Sequence, residues 1–458
     1  MHEERALWVH IELQGRTHPI GVLRARLDGD FESAELEPAP SWRQRADASL
    51  HAPLLGAPRG AQRTGASMPL FGALGDSAPD RWGRMLLRRF ERWQAGREGR
   101  EPRVLREPDF LLGVHDAMRA GALRFSAHED GPFDRPGDAG APPRAADLGR
   151  LLAAVRAHEE GRETESQRRL LIACGQLLGG SRPKASLRRD DGHLLIAKFP
   201  SLGDTRDMQR WEALALGLAR DCGIEVPAFS LARVGGESVL VLERFDRTPA
   251  GERIAFVSAF GLLEAQDNEA GSYVAMARAL RAIGGRPHDD AVALWRRALL
   301  SILVSDKDNH LRNHGLVLRE TGWRLCPAYD INPEPEPRRP RLLLVSVDGV
   351  DDTAALEVAL AAAGEFGLGA GEARSEAKRM AAVVAAWRER AAAVGIARSA
   401  IAAMEEAFEH RSLHCALRLP GARVPARAPR TSTKRVSAPA RGLSRRGARS
   451  SARRSRKR

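Results

Sequence analysis

The hydrophobic pattern changes near residue 250, and this change limits what the chain can fold into more than any other feature. Ahead of that point, three segments alternate between apolar and polar residues, or stay apolar over the length of a strand. They are residues 7–25, which predict a hairpin, residues 185–199, which predict a second hairpin turning at Asp191-Gly192, and residues 239–245. Beyond that point, residues 255–303 and 353–412 are mostly helical in spacing, with a strand at 315–319. Strands followed by helices predict an α+β fold.

Helices and a linker are also predicted in the first half of the chain. A helix is expected after Asp76 or Ser77, either of which can cap it, with Pro79 in its first turn. Two longer helices are predicted over residues 148–178, with a polar break, and over residues 209–222. The remaining segments are residues 110–125, a helical turn and a short strand, and residues 127–147, a Pro- and Gly-rich linker.

Most of the net charge of +13 belongs to one end of the chain. Residues 421–458 contain 14 of the 72 Lys and Arg residues and no acidic residue, which leaves 58 basic against 59 acidic residues elsewhere. This tail has almost no large apolar side chain, so we expect it to be disordered. An arginine-rich tail can bind nucleic-acid phosphates without sequence preference, although an inert, solvated extension is an equal alternative.

Several classes of protein are disfavoured by composition. The four cysteines form no Cys-x-x-Cys pair, which argues against a zinc site or a disulfide framework. No apolar run reaches the length of a membrane span, and the acidic first residues do not resemble a signal peptide. A length of 458 residues allows two or three domains. We therefore expect a cytoplasmic protein with several domains.

Asp308 and Asn313 are separated by the five-residue step that the catalytic loop of protein kinases carries. At such a site the carboxylate accepts a proton from the attacking hydroxyl, and the carboxamide binds magnesium. Asp330 follows Asn313 after room for a strand, a turn and a second strand, so it predicts a second magnesium ligand. Asp306 is expected to orient the loop, and His310 either contacts a phosphate or braces the loop.

Other parts of a nucleotide site precede this loop in a suitable order. Gly179 and Gly180 let backbone N–H groups approach a phosphate, and Lys184 adds positive charge nearby. Lys198 lies near the end of a predicted strand, and Glu212 on the next helix is its expected partner. The apolar strand that ends at Glu243 to Phe245 could form a hinge that binds adenine through its backbone, although each of these parts alone has an ordinary structural explanation.

In these segments the chain resembles the HipA-type serine/threonine kinases, the toxin half of bacterial type II toxin–antitoxin pairs. The resemblance rests on Asp76-Ser-Ala-Pro-Asp-Arg-Trp-Gly-Arg84, Phe110-Leu-Leu-Gly-Val-His-Asp116, Gly179-Gly-Ser-Arg-Pro-Lys-Ala185, Ile196-Ala-Lys-Phe199, Glu243-Arg-Phe-Asp-Arg247, Asp308-Asn-His-Leu-Arg-Asn-His-Gly315 and Tyr329-Asp330. These segments spread over residues 8–335, and the later helices suit the family's helical C-terminal lobe.

The resemblance implies a two-lobed, protein-kinase-like fold with an added N-terminal α/β subdomain. The expected division is residues 1–126 for the HipA-like N-terminal subdomain, 127–147 for the linker, 148–247 for the kinase N-lobe, 248–418 for the helical C-lobe and 419–458 for the basic tail. By the same match, Asp308 would be catalytic, Lys198, Glu243, Phe245 and His310 would contact ATP, and Asn313 and Asp330 would hold Mg²⁺.

The family's partners follow from the resemblance as well. Its members phosphorylate proteins such as a tRNA synthetase, which arrests growth, and are restrained by a small helix-turn-helix antitoxin bound to operator DNA. The family's loop usually reads Asn-Thr/Ser-Asp-Asp-His, whereas here it reads Asp306-Lys-Asp-Asn-His310. Some members autophosphorylate a serine of the glycine loop, and the only serine there is Ser181. The alternative is a catalytically weak, kinase-like corepressor that acts on DNA together with an antitoxin.

Overall fold

A computed structural model describes residues 3–28, 31–55, 62–64, 69–133, 143–174, 180–266, 271–335 and 341–420. Gly179, the middle of the predicted linker and the tail residues 421–458 lie outside these ranges. Met1–Ala422 form one compact unit, so the finer division into a subdomain, a linker and two lobes stays a prediction. None of the helices in the described ranges is both long and apolar enough to cross a bilayer.

The strands are concentrated in the first 243 residues, as the sequence predicted. They are β1 (Glu3–Leu13), β2 (Arg16–Asp28), β3 (Phe31–Pro38), β4 (Gln62–Arg63), β5 (Leu123–Ser126), β6 (Lys184–Arg188), β7 (Leu194–Lys198), β8 (Phe229–Val234), β9 (Glu237–Glu243), β10 (Phe256–Ser258), β11 (Gly271–Ser272), β12 (Gly315–Arg319), β13 (Gly322–Leu325) and β14 (Val345–Ser346). Both predicted hairpins, β1–β2 and β6–β7, are present as antiparallel pairs.

Helices occur throughout the chain and dominate from residue 273 onwards. They are α1 (Pro40–Arg43), α2 (Ala52–Leu55), α3 (Gly72–Asp76), α4 (Arg81–Glu98), α5 (Glu107–Gly113), α6 (Leu148–Glu159), α7 (Glu165–Cys174), α8 (Met208–Asp221), α9 (Ala259–Leu262), α10 (Tyr273–Ile283), α11 (Pro287–Val304), α12 (Leu356–Ala361), α13 (Ala370–Ala385), α14 (Trp387–Ala393), α15 (Arg398–Ala403), α16 (Glu405–Phe408) and α17 (Arg411–Arg418).

Two sequence predictions about helix starts need correction. The cap of α4 is Asp80, whose side chain accepts a hydrogen bond from the Gly83 backbone N–H, and neither Asp76 nor Ser77 caps it. Pro79 therefore comes directly before the cap residue, outside the helix, and does not lie in its first turn. The segment predicted as helical from residue 255 begins with β10, because this stretch pairs with β12.

The sheet order places the second hairpin between two separate cores. The five-stranded sheet has the order β4-β3-β2-β1-β5, and the four-stranded sheet has the order β6-β7-β9-β8. Along β9, Val239 packs with α4, α6 and α7 on one face, whereas Leu240 and Leu242 pack with α8 on the other. Since side chains of a strand alternate between faces, one strand serves both cores. Lys198, at the end of β7, is thereby held between the two cores.

Helix α8 ties this sheet to the helical part of the chain. Its residue Trp211 lies 6.5 Å from Trp387 and 6.4 Å from Phe408, measured between ring centroids. Trp387 and Phe408 stack on each other at 4.3 Å. This buried aromatic cluster fixes α8, and with it Glu212, relative to α14 and α16.

Candidate active site

A cavity of about 1030 Å³ opens between the second hairpin, helix α8 and the loop that follows α11. Six of the residues that the sequence singled out line it: Gly180, Lys184, Lys198, Asp308, His310 and Asp330. Glu212, the expected partner of Lys198, lines it as well. Residues 130 positions apart in sequence therefore meet in one concave site, as a catalytic centre requires.

Lys198 lies at the centre of a three-membered charge cluster. Its Nζ is 2.6 Å from Glu212 Oε1 and 2.6 Å from Asp330 Oδ1. Burial opposes the charged form of Lys198, but the two carboxylates outweigh burial and raise the pKa of this lysine. Lys198 in turn holds the pKa of the Asp330 carboxyl well below its usual range. The predicted pairing of Lys198 with Glu212 is confirmed in geometry, and the contact with Asp330 was not foreseen.

The backbone at Asp330 adopts an uncommon conformation. Its φ is +59°, in the left-handed region that residues other than glycine seldom adopt. Its carboxylate also accepts a hydrogen bond of 3.2 Å from the Asn332 side chain. Backbone strain of this kind persists where the surroundings over-determine it, and it concentrates at functional sites. The strain therefore agrees with a role for Asp330 beyond packing.

The loop carrying Asp308 and Asn313 begins where α11 ends. The His310 N–H donates to the Asp308 carbonyl at 3.0 Å, and the Asn313 N–H donates to the His310 carbonyl at 2.9 Å. The Asn313 side-chain nitrogen donates a hydrogen bond to the Asp308 carbonyl at 3.2 Å, so the two ends of the five-residue step are bonded to each other. The Asp308 side chain remains exposed to the cavity. Partial burial, together with Asp330 and Glu334, raises the pKa of Asp308 against the opposing effect of His310.

Asp306 and Asn309, two of the three residues that depart from the family's loop pattern, both form hydrogen bonds in the structure. The Asn309 side chain is buried and donates to the Tyr273 hydroxyl at 2.8 Å and to the Ser301 hydroxyl at 2.7 Å. Asp306 is buried, and its Oδ1 accepts from the Asn332 backbone N–H at 3.2 Å. Burial raises the pKa of Asp306 well above the usual range of a carboxyl group. The raised pKa favours the protonated form, which resembles a carboxamide in shape and charge.

The proposed metal ligands can be tested against the polar atoms that the structure leaves unpaired. The Oδ1 atom of Asn313 is buried and has no hydrogen-bond partner among the described residues. A buried acceptor without a partner is costly, and a bound cation would satisfy it. The described residues contain no group of three His, Cys, Asp or Glu side chains that could hold a metal by themselves. Asn313 and Asp330 therefore suit Mg²⁺, which takes few protein ligands and completes its shell with phosphate oxygens and water.

Lys184 is placed differently from what its position in a loop suggested. It is the first residue of β6, its side chain is 6% exposed, and its Nζ lies 2.7 Å from Asp80 Oδ2. Gly180 has a φ of +88°, which favours glycine there, and it lines the cavity beside Lys184. Lys184 is thus at the cavity, but already paired to a carboxylate from the N-terminal part of the chain.

Among the predicted site residues that the structure describes, three are not part of the cavity lining. The Glu243 carboxylate pairs with Arg189, and its backbone N–H donates to the Ala228 carbonyl at 2.8 Å. Phe245 packs beside Tyr329 at 5.7 Å between ring centroids. Asn313 is buried within the loop that carries Asp308, and its side chain donates to the Asp308 carbonyl. A role for Glu243 and Phe245 in holding adenine stays a prediction.

Asp76 and Asp80 line the cavity, although the sequence suggested only capping for this segment. Asp76 accepts from the Ser258 backbone N–H at 2.6 Å and from the Ser258 hydroxyl at 2.7 Å. Burial raises the pKa of Asp76 to about 6. The signal for these residues was the Asp76 to Arg84 segment of the family resemblance, which carried no stated role.

Comparisons with known proteins match the part of the chain that carries Lys198, Glu212, Asp308 and Asp330. The family of the HipA-like C-terminal domain matches residues 177–389, which include the second hairpin, α8 and the Asp308 loop. A curated protein of Sinorhizobium fredii (strain NBRC 101917 / NGR234), named "Putative kinase Y4mE", is 27% identical over 146 residues. That match covers 30% of this chain and spans about a third, 33%, of the length of the relative.

The fold has a counterpart among solved structures. It is similar to a chain of the Shewanella oneidensis MR-1 toxin–antitoxin complex of HipA, HipB and operator DNA. The TM-score is 0.59 at 16% identity, with 88% of this chain and 95% of that chain covered. Similarity at this identity concerns the fold, and it confirms the predicted α+β, kinase-like architecture. The sequence similarity to the HipA-type family lies in residues 177–389, which match the HipA-like C-terminal domain.

Proposed function

We propose that this chain is an ATP-dependent protein kinase that transfers the γ-phosphate of ATP to a serine or threonine hydroxyl of another protein. The observation that supports it most is the Lys198 ammonium, placed 2.6 Å from both Glu212 and Asp330 in the cavity that Asp308 lines. Kinases use a strand lysine paired with a helical glutamate, together with a loop aspartate, to hold nucleotide phosphates and the acceptor hydroxyl.

In the proposed reaction, the acceptor oxygen attacks the γ-phosphorus, and the bond from that phosphorus to the β–γ bridging oxygen breaks. ADP leaves with the electron pair of the broken bond. Asp308 accepts the proton of the acceptor hydroxyl as the new bond to phosphorus forms. The raised pKa of Asp308 brings its basicity closer to neutrality, where a general base is most effective.

The remaining residues would bind and orient the nucleotide. Lys198 supplies a cation to the phosphate oxygens, and the Gly180 segment, with Gly179 before it, supplies backbone donors. Lys184 and His310 line the same cavity and add positive charge or hydrogen bonds. Glu243 and Phe245 are assigned to ATP by the family resemblance, and to its adenine by their place at the end of the apolar hinge strand. When bound by Asn313 and Asp330, magnesium neutralises charge on the transferring phosphoryl group.

The test uses the purified full chain, Mg²⁺, radiolabelled ATP and a mixture of candidate protein acceptors. Asp308→Asn removes the proton acceptor and leaves the shape unchanged, so the rate should fall by about 10² to 10⁴. ATP affinity, measured by calorimetry, should stay near the parent value because Asp308 is assigned to the acceptor side.

The matched control is Asp289→Asn, an equally conservative change at an exposed residue that does not line the cavity. This variant should phosphorylate acceptors at the parent rate. If the parent chain transfers phosphate to neither an acceptor nor itself, the kinase proposal fails. A D308N variant as active as the parent would remove Asp308 from the mechanism.

We also propose partners by analogy with the family. The Shewanella relative is a complex with an antitoxin and operator DNA, which favours a small helix-turn-helix antitoxin as the partner of this chain in the cytoplasm. The acceptor would be a protein such as a tRNA synthetase, and its phosphorylation would arrest growth. Growth arrest that D308N leaves undiminished would favour the alternative, a catalytically weak corepressor. Co-purification of this chain with a helix-turn-helix protein encoded beside it tests the pairing.

A further inference from the structure

Lys184 and Lys198 face each other directly across the β6–β7 pair. Two like charges at opposed positions of neighbouring strands repel, since their Cβ atoms are only about 5 Å apart. Each lysine has its own counter-charge: Lys198 has Glu212 and Asp330, whereas Lys184 has Asp80. The two cations coexist at the cavity wall because different carboxylates bind them.

Asp80 is held firmly enough to define where the Lys184 ammonium lies. Its Oδ1 accepts from the Gly83 N–H at 2.8 Å as the cap of α4, while Oδ2 accepts from Lys184 at 2.7 Å. Helix α4 packs through Trp82 and Leu86 into the same core as β6 and β7. Both sides of the ion pair are therefore fixed to one rigid core, although they are 104 residues apart in sequence.

Asp330 is the second carboxylate on the Lys184 side of the cavity. Lys184 lies directly opposite Lys198, whose Nζ is 2.6 Å from Asp330 Oδ1, and Lys184 and Asp330 both line the cavity. Asp330 already binds Lys198 and, in the proposed function, also binds magnesium. Without Asp80, the buried Lys184 ammonium would lose its carboxylate partner and would turn to Asp330, an anion in the same cavity, where it would compete with the metal ion.

We infer that Asp80 is a positioning residue: by binding Lys184 it keeps that ammonium off Asp330 and so preserves the metal-binding carboxylate. The inference rests on the proposed nucleotide and magnesium site. It gives a function to the Asp76 to Arg84 segment, which belongs to the N-terminal part of the chain and otherwise only lines the cavity. The N-terminal part thereby sets the charge balance of the site without contacting the reacting atoms.

The experiment measures Mn²⁺ binding to the full chain by electron paramagnetic resonance, with a non-hydrolysable ATP analogue present. Asp80→Asn keeps the oxygen that caps α4 and removes the charge that binds Lys184. Outer-shell partners of metal ligands typically matter by about tenfold or more, so Mn²⁺ affinity should fall by about that factor. Metal-free analogue binding should not weaken, because the Lys184 ammonium stays in the cavity, where it can bind the phosphates.

The double variant D80N/K184M separates positioning from a general structural effect. Once Lys184 is replaced, loss of the Asp80 charge should have no further effect, so Mn²⁺ affinity should equal that of K184M alone. The matched control is Asp290→Asn, which breaks another buried pair, with Arg324 at 2.7 Å, away from the cavity. D290N should lower thermal stability and leave Mn²⁺ affinity unchanged.

The outcomes divide as follows. Parent-like Mn²⁺ affinity in D80N, or different affinities in K184M and D80N/K184M, would overturn the role of Asp80 and leave the kinase proposal intact. No binding of Mn²⁺ with the analogue by the parent chain would overturn both. If D80N alone does not fold, the comparison of K184M with D80N/K184M still decides the matter.

Discussion

Asp306 illustrates how one buried side chain can replace another of different charge. The family's loop usually has asparagine at this position, and here a carboxyl group accepts the Asn332 N–H in a buried site. Burial raises its pKa well above the usual range, which favours the neutral form that resembles the carboxamide of asparagine. Aspartic acid in place of asparagine at position 306 therefore changes the hydrogen bonding and charge of the loop less than the change of residue type suggests.

The raised pKa of Asp306 makes the free energy of unfolding depend on pH in a defined direction. The folded state binds the Asp306 proton more tightly than the unfolded state does, so its contribution is complete below the unfolded pKa, near 4. This contribution to stability is lost as pH rises through the higher pKa of the folded state. The loss is about 1.4 kcal/mol for each unit by which the folded pKa exceeds the unfolded pKa. Asp306→Asn should remove this loss, which denaturant unfolding between pH 4 and 9 would reveal. Parallel pH profiles for the parent and D306N would contradict a raised pKa.

At the scale of elements, α3 and α9 cross with almost no space between their backbones. A Cβ at Gly72 would collide with the backbone of Gly261, whereas a Cβ at Gly75 meets nothing within 4 Å. Asp76, at the end of α3, binds Ser258 directly before α9, so the same crossing positions one wall of the cavity. The sequence signalled neither contact, since the two helices lie far apart in the chain.

This crossing predicts opposite effects for two identical substitutions in one helix. Gly72→Ala should lower the free energy of unfolding by about 1–3 kcal/mol, the usual cost of overpacking. Gly75→Ala should be neutral or stabilising, by up to about 1 kcal/mol, because alanine favours helix more than glycine does. Urea unfolding of both variants tests this directly. A G72A variant as stable as G75A would show that the helices can separate at no cost.

At the scale of the whole molecule, charge is divided unevenly along the chain. Removing residues 423–458 takes away 14 basic residues and changes the net charge from +13 to −1. If the tail binds nucleic acid, the full chain should bind duplex DNA of arbitrary sequence with an affinity that falls steeply with salt. The slope of log K against log salt is about −0.9 for each phosphate neutralised, and truncation after Ala422 should bring it close to zero. An unchanged slope after truncation would assign DNA binding to another surface.

The sequence by itself determined the order of the main elements and the spacing of residues in the Asp308 loop. Hairpins and helices depend on spacing within a few turns, so β6–β7, α8 and the Asp308 to Asn313 step were all predictable. The pairing of Lys198 with Glu212 followed because only 14 residues and one connection separate them.

Tertiary structure alone decided which charges meet. The contact of Lys198 with Asp330 joins residues 132 positions apart, Lys184 with Asp80 joins residues 104 apart, and Ser258 with Asp76 joins residues 182 apart. Burial then raises the pKa of Asp306, and no local sequence pattern encodes this burial. Such contacts depend on how whole elements pack and exclude water, and spacing along the chain carries no information about either.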